Sequence, residues 1–170
     1  MAKEPKVEHP AARDVRSPMK TWRILFLDHL ENIEQLKGAC KDMGYTVAGA
    51  VTIEEAWAFL DGKDHVDVIV CAPHLKEESV FEFVKAVRES EHHRATKILI
   101  LALKPSQIAS RLHQTTGSTA VALGADTYAI MPTFDANELI ALIQKLQPLV
   151  PVLQQYEEKA PSNLKGSAQS

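Results

Sequence analysis

The chain has 170 residues, of which 45% are hydrophobic and 24% charged, with a formal net charge of −3. That size suits one domain with tails, large enough to hold a core without metal or disulfide staples. The mild negative balance supplies no general field for nucleic acid or anionic lipid, and no apolar run is long enough to span a bilayer.

Residues 1–20 are polar, carry Pro5, Pro10 and Pro18, and show no periodicity, so a flexible N-terminal arm is expected. The opening Met1-Ala2-Lys3-Glu4-Pro5-Lys6 lacks the apolar stretch of a signal peptide. Arg13, Arg16, Lys20 and Arg23 make the arm modestly basic, but Glu8 and Asp14 dilute it and no stacking aromatics accompany them. A solvated arm is therefore expected, with no nucleic-acid partner.

The domain is expected over residues 21–149. Trp22 to Leu27 reads as a strand, and Glu31 to Met43 as a helix stopped by Gly44. Tyr45 to Ala50 is the second strand. Thr52 with Glu55 three residues on has capping-box spacing, opening a helix that ends at Gly62. Val66 to Cys71 is the third strand and Ser79 to Glu89 the third helix. His92 and His93 fall in a polar stretch expected to be a solvated loop. Lys97 to Leu101 is the fourth strand. A fourth helix is expected within Ser106 to Leu123, broken by a flexible polar segment at Thr115 to Thr119. Thr127 to Ile130 is the fifth strand, and Asp135 with Glu138 opens a final helix to about Gln147. Residues 150–170 are expected to be a flexible tail, with a short helical extension near Tyr156 as the alternative.

The five strands are continuously apolar rather than alternating, which means a parallel sheet covered on both faces. Right-handed crossovers make it doubly wound. Cys40 and Cys71 lie in apolar elements and read as reduced packing residues of a cytoplasmic protein; the alternative is one disulfide between them.

Ligands of such sheets sit outside the carboxyl ends of the strands. The residues to interrogate are Asp28-His29, Ala72-Pro73-His74, Ala102-Leu103 and Met131-Pro132. Asp28, His29 and His74 suggest a metal site, since imidazole and carboxylate suit Zn²⁺ or Ni²⁺. The plainer reading has His29 starting the helix in water and Asp28 capping it. No glycine-rich phosphate loop follows the first strand, so no dinucleotide site is expected.

Ile24-Leu-Phe-Leu-Asp28, Asp67-Val-Ile-Val-Cys-Ala72, Ile98-Leu-Ile-Leu-Ala102 and Gly124-Ala-Asp-Thr-Tyr-Ala-Ile-Met-Pro-Thr-Phe134 resemble the receiver domain of two-component response regulators. The resemblance covers about Thr21 to Leu149. It implies a flavodoxin-like fold with strand order 2-1-3-4-5. It also implies a phosphorylation pocket in which paired acids hold Mg²⁺, an aspartate takes the phosphoryl group, and a hydroxyl and a lysine contact it. On this sequence those positions fall on Asp28 and His29, Ala72, Ala102 and Met131. Only Asp28 keeps the family's type. The expected outcome is a degenerate pocket with an apolar floor, no enzymatic activity and no cofactor.

Tyr128 matches the family's switch aromatic, and the Met131–Pro132 bond is expected cis by the same resemblance. The segment from Lys104 to Leu123 is longer than the family's by about seven residues. The function expected is a phosphorylation-independent pseudo-receiver, a protein–protein interaction module in bacterial signal transduction. Its partner is another signalling protein or a second copy, met through the fourth helix, fifth strand and final helix, with Tyr128, Arg111, His113 and Thr119 on that surface. The alternative is a sensor that binds a small molecule or metal in the altered pocket.

Overall fold

The computed structural model describes residues 21–148 of the 170. The expected arm and tail, 1–20 and 150–170, lie outside the described residues. Five strands, β1 (Arg23–Leu27), β2 (Thr46–Ala50), β3 (Val68–Cys71), β4 (Lys97–Leu103) and β5 (Thr127–Met131), form one parallel sheet in the order β2-β1-β3-β4-β5. The helices are α1 (Leu30–Asp42), α2 (Ile53–Leu60), α3 (Val80–Glu89), α4 (Gln107–Arg111), α5 (His113–Ala122) and α6 (Ala136–Leu146). This is the flavodoxin-like doubly wound fold that the sequence predicts.

The continuous apolar runs have a simple cause. Successive strand residues point to opposite faces, and both faces are covered. Leu25, Leu27, Ile69, Cys71, Ile98 and Ile100 enter one core with Ala56, Leu60, Phe83, Val84 and Ala120. Ile24, Phe26, Val68, Val70, Leu99 and Leu101 enter the other with Leu36, Cys40, Leu139 and Ile143. Cys40 and Cys71 are free and buried, not joined to each other.

The helix starts follow local chemistry. Thr52, Ser79 and Asp135 each accept, through a side-chain oxygen, the backbone N–H three residues on. Such a cap is worth about 1 kcal/mol. Gly44, at φ 92°, closes α1.

Gly124-Ala125-Asp126 owes its form to Arg88. The guanidinium donates to Gly124 O at 2.7 Å, Arg94 O at 2.8 Å and Thr96 O at 2.6 Å, and pairs with Asp126 Oδ2 at 2.8 Å. The same Asp126 oxygen accepts from Ile98 N–H at 2.8 Å. One side chain thus ties α3 to the approaches of β4 and β5. Gly124 has φ 122° and lies under the Arg88 stem, so a side chain there meets both backbone strain and a collision.

Several expectations are corrected. The polar segment 115–119 is not a break: α5 runs through it, and the interruption falls at Leu112, which ends α4 and begins α5. Gly117 weakens a helix by roughly 1 kcal/mol relative to Ala, but it is needed where the Tyr128 ring packs against it. The Met131–Pro132 bond is trans, as are all described bonds. Trans is the lower-energy form even before proline, and here Met131 O accepts from Lys104 N–H while its Sδ accepts from Asp135 N–H. His92 and His93 do lie in a loop of turns with His92 exposed, but His93 is half-buried, 2.9 Å from Asp61 Oδ1 and beside Trp57.

Candidate functional site

A cavity of about 490 Å³ opens at the carboxyl ends of β1, β3 and β4. It gathers Asp28 and His29 after β1, Ala72, Pro73 and His74 after β3, and Ala102 to Ser106 from the end of β4, with Thr116 and Tyr128 as a further wall. The doubly wound topology puts it there, because strand order reverses about β1 and leaves a crevice beyond the sheet.

Asp28 is the deepest polar group, with 2% of its surface exposed. Its Oδ1 accepts from the His29 N–H and from Asn32 Nδ2, the latter at 3.0 Å. It therefore caps α1 from one residue before the formal N-cap, His29, whose side chain makes no capping bond. Burial pushes the Asp28 carboxyl above its ordinary value, against the lowering by Asn32 and the His29 backbone. His29 is half-buried and His74 exposed, and both line the cavity.

This geometry adds no support to the metal reading. Among the described residues no three His, Cys, Asp or Glu side chains come together as a metal site. Asp28, His29 and His74 share a cavity, yet Oδ1 of the carboxylate is already engaged by the start of α1. Mg²⁺ fits no better: a hard cation needs several oxygens in near-octahedral array, and Ala72 and Ala102 provide only methyl groups.

Of the five positions the receiver resemblance points to, Asp28, His29, Ala72 and Ala102 line the cavity and Met131 does not. Met131 is fully buried in the core between the sheet, α1 and α6. Strand alternation explains this, since Met131 lies three residues from Tyr128 and so points to the opposite face. A thioether has no polar tip to draw it outward. The apolar floor thus consists of Ala72, Ala102 and Leu103 rather than Met131.

Tyr128 lines the cavity and also an outer groove with His113, Gln114, Val121 and Asp126. Burial raises its phenol from the ordinary value. Arg111 and Thr119 are exposed beside that groove without lining it. Ile108, Leu112 and Val121 are large apolar residues exposed on α4, the α4–α5 junction and α5.

Sequence reasoning missed four contributors. Asn32 carried a signal, an amide four residues after Asp28 on the same helical face. Lys104 carried none: it is a non-glycine residue at φ 52°, and its Nζ bonds Gln35 Oε1 at 3.3 Å. Thr116 reaches the cavity only because α5 is helical through Gly117. Arg88 acts through partners 36 and 38 residues away in sequence.

No family model matches the sequence, and no curated protein matches it. Solved structures do. The chemotaxis response regulator CheY4 of Vibrio cholerae is 26% identical, with a TM-score of 0.61 over 75% of this chain and 100% of that one. A putative response regulator from Chloroflexus aurantiacus is 24% identical, with a TM-score of 0.62 over 74% and 97%. A response regulator receiver protein from Pseudomonas putida is 21% identical, with a TM-score of 0.61 over 75% and 98%. The class is therefore settled as flavodoxin-like α/β with helices on both faces. Within that class the described residues have the receiver fold. No helix among them is long and apolar enough to cross a membrane.

Proposed function

We propose that this domain is a cytoplasmic pseudo-receiver: a signal-transduction module that works by protein contact and takes no part in phosphoryl transfer. The observation that carries the reading is Ala72. It follows β3 directly and lines the cavity, where the receiver resemblance calls for the phosphoacceptor aspartate. A methyl group cannot form an acyl phosphate. Ala102 offers no hydroxyl, and Met131, in the lysine's place, lies in the core. The module is accordingly read as having no catalytic residue.

The contact surface in this reading comprises α4, α5, β5 and α6, with Tyr128, His113, Arg111 and Thr119 on or beside the outer groove. The exposed Ile108, Leu112 and Val121 supply apolar area near it, of the kind that contacts bury. A signalling protein or a second copy of the chain is the partner this surface suits. The test is incubation of the full chain with acetyl phosphate and Mg²⁺, followed by intact-mass measurement. No phosphoryl addition is expected, and addition on a cavity carboxylate overturns the reading.

A second reading, a small-molecule sensor, is favoured by the cavity itself. At about 490 Å³ it is within the usual range for small ligands, and it mixes apolar walls with a few convergent polar groups.

A further inference from the structure

The Asp28 carboxylate is unevenly satisfied. Both of its hydrogen-bond donors, the His29 N–H and Asn32 Nδ2, fall on Oδ1. Among the described residues no donor reaches Oδ2, and no fully enclosed side-chain atom lacks a partner. The small exposed part of Asp28 therefore belongs to the edge that lines the cavity. A buried carboxylate short of donors is costly, and a ligand donor removes part of that cost.

The surrounding charges define what enters. Glu31 also lines the cavity and adds a second acid. The lysine of the lining, Lys104, turns its ammonium to Gln35 Oε1. His29 and His74 line the cavity as well, so the preference for a donating group belongs to the open edge of Asp28 rather than to the lining as a whole. Ala72, Ala102 and Leu103 line it with apolar surface suited to a short hydrocarbon body.

We infer that this cavity is a site for a small organic amine whose N–H donors meet the open edge of Asp28, with its carbon skeleton against Ala72, Ala102 and Leu103. The inference rests on the small-molecule reading of the cavity and names its ligand class. It needs no phosphoryl chemistry and no metal.

The test is calorimetry and thermal unfolding of the full chain at pH 7 and constant ionic strength. The probes are butylamine and benzylamine, their carboxylate counterparts butyrate and benzoate, and neutral benzyl alcohol. The amines are expected to bind saturably and raise the unfolding midpoint by several degrees, because a ligand of the folded state alone stabilises it. The carboxylates are expected to do neither. Asp28→Asn keeps the shape and the acceptor for α1, and is expected to weaken amine binding at least tenfold. Ala109→Phe, which adds bulk to the cavity lining, is expected to weaken it also. Equal binding of amines and carboxylates, or full retention by D28N, overturns the amine assignment and leaves the small-molecule reading standing. Absence of binding by every probe removes both.

Discussion

The ring of Tyr128 rests on Gly117: a Cβ built on the glycine comes 2.9 Å from Tyr128 Cδ2 and 3.3 Å from Cγ. These are atoms at the root of the ring, which cannot swing aside as the end of a flexible side chain would. Gly117→Ala improves helix propensity by roughly 1 kcal/mol but forces the ring or α5 to shift. The net expectation is destabilisation of about 1 kcal/mol, and more for Gly117→Val. Urea unfolding measures it, and a stability gain for Gly117→Ala contradicts the packing described.

Arg88 joins α3 to the entrances of β4 and β5 through four partners. Arg88→Ala leaves carbonyls and the partly buried Asp126 carboxylate without it. A loss of about 2–4 kcal/mol is expected. Asp126→Asn is expected to cost less, because the amide oxygen still accepts from Ile98. Equilibrium denaturation of both variants decides the order.

Asp28 gives the fold a pH dependence of unusual sign. Burial raises its carboxyl above the ordinary 3.8. Below that value both the folded and unfolded states hold the proton and the group is silent. Above it the unfolded chain ionises first, so stability falls as pH rises toward the folded value, and the loss is complete beyond it. Asp28→Asn removes the effect. The variant is expected to be more stable than the parent at pH 7 and to converge with it as pH falls toward 3.8. Parallel urea titrations across that window test the sign; a constant gap refutes it.

Burial pushes the Cys40 thiol up to about 12 and the Cys71 thiol up as well, the latter also feeling Asp28. Thiolate is the reactive form. Neither cysteine is expected to react with a charged disulfide reagent while the domain is folded, and both are expected to react in denaturant. Rapid labelling of either in the native state would show local opening of its core.

Much of the fold was legible because its cause is local. The runs Ile24 to Leu27 and Ile98 to Leu101 are apolar at every position, which only a doubly covered sheet requires. Thr52 and Asp135 announced their helices by residue type and spacing. The site was legible in part. Asp28, Ala72 and Ala102 follow strand ends and stand where topology sends them. Met131 was misplaced because its side-chain direction depends on strand parity one residue beyond the expected end of β5. The helical pair α4 and α5 was misread because Gly117 and its threonine neighbours resemble a turn until Tyr128, eleven residues later, is seen to pack on them. Lys104 bonds a residue 69 positions away, and two of the four partners of Arg88 lie 36 and 38 positions away, beyond any local window of sequence.

The alternation of strand residues between two cores has a consequence for how this chain can vary. Adding or deleting one residue inside β1, β3 or β4 would send every following side chain of that strand into the opposite core, exchanging shapes that each side has filled. Such changes are barred where the sheet is covered twice. Growth in length is confined to the rims, and α4 with α5, set between β4 and β5, occupies one of them.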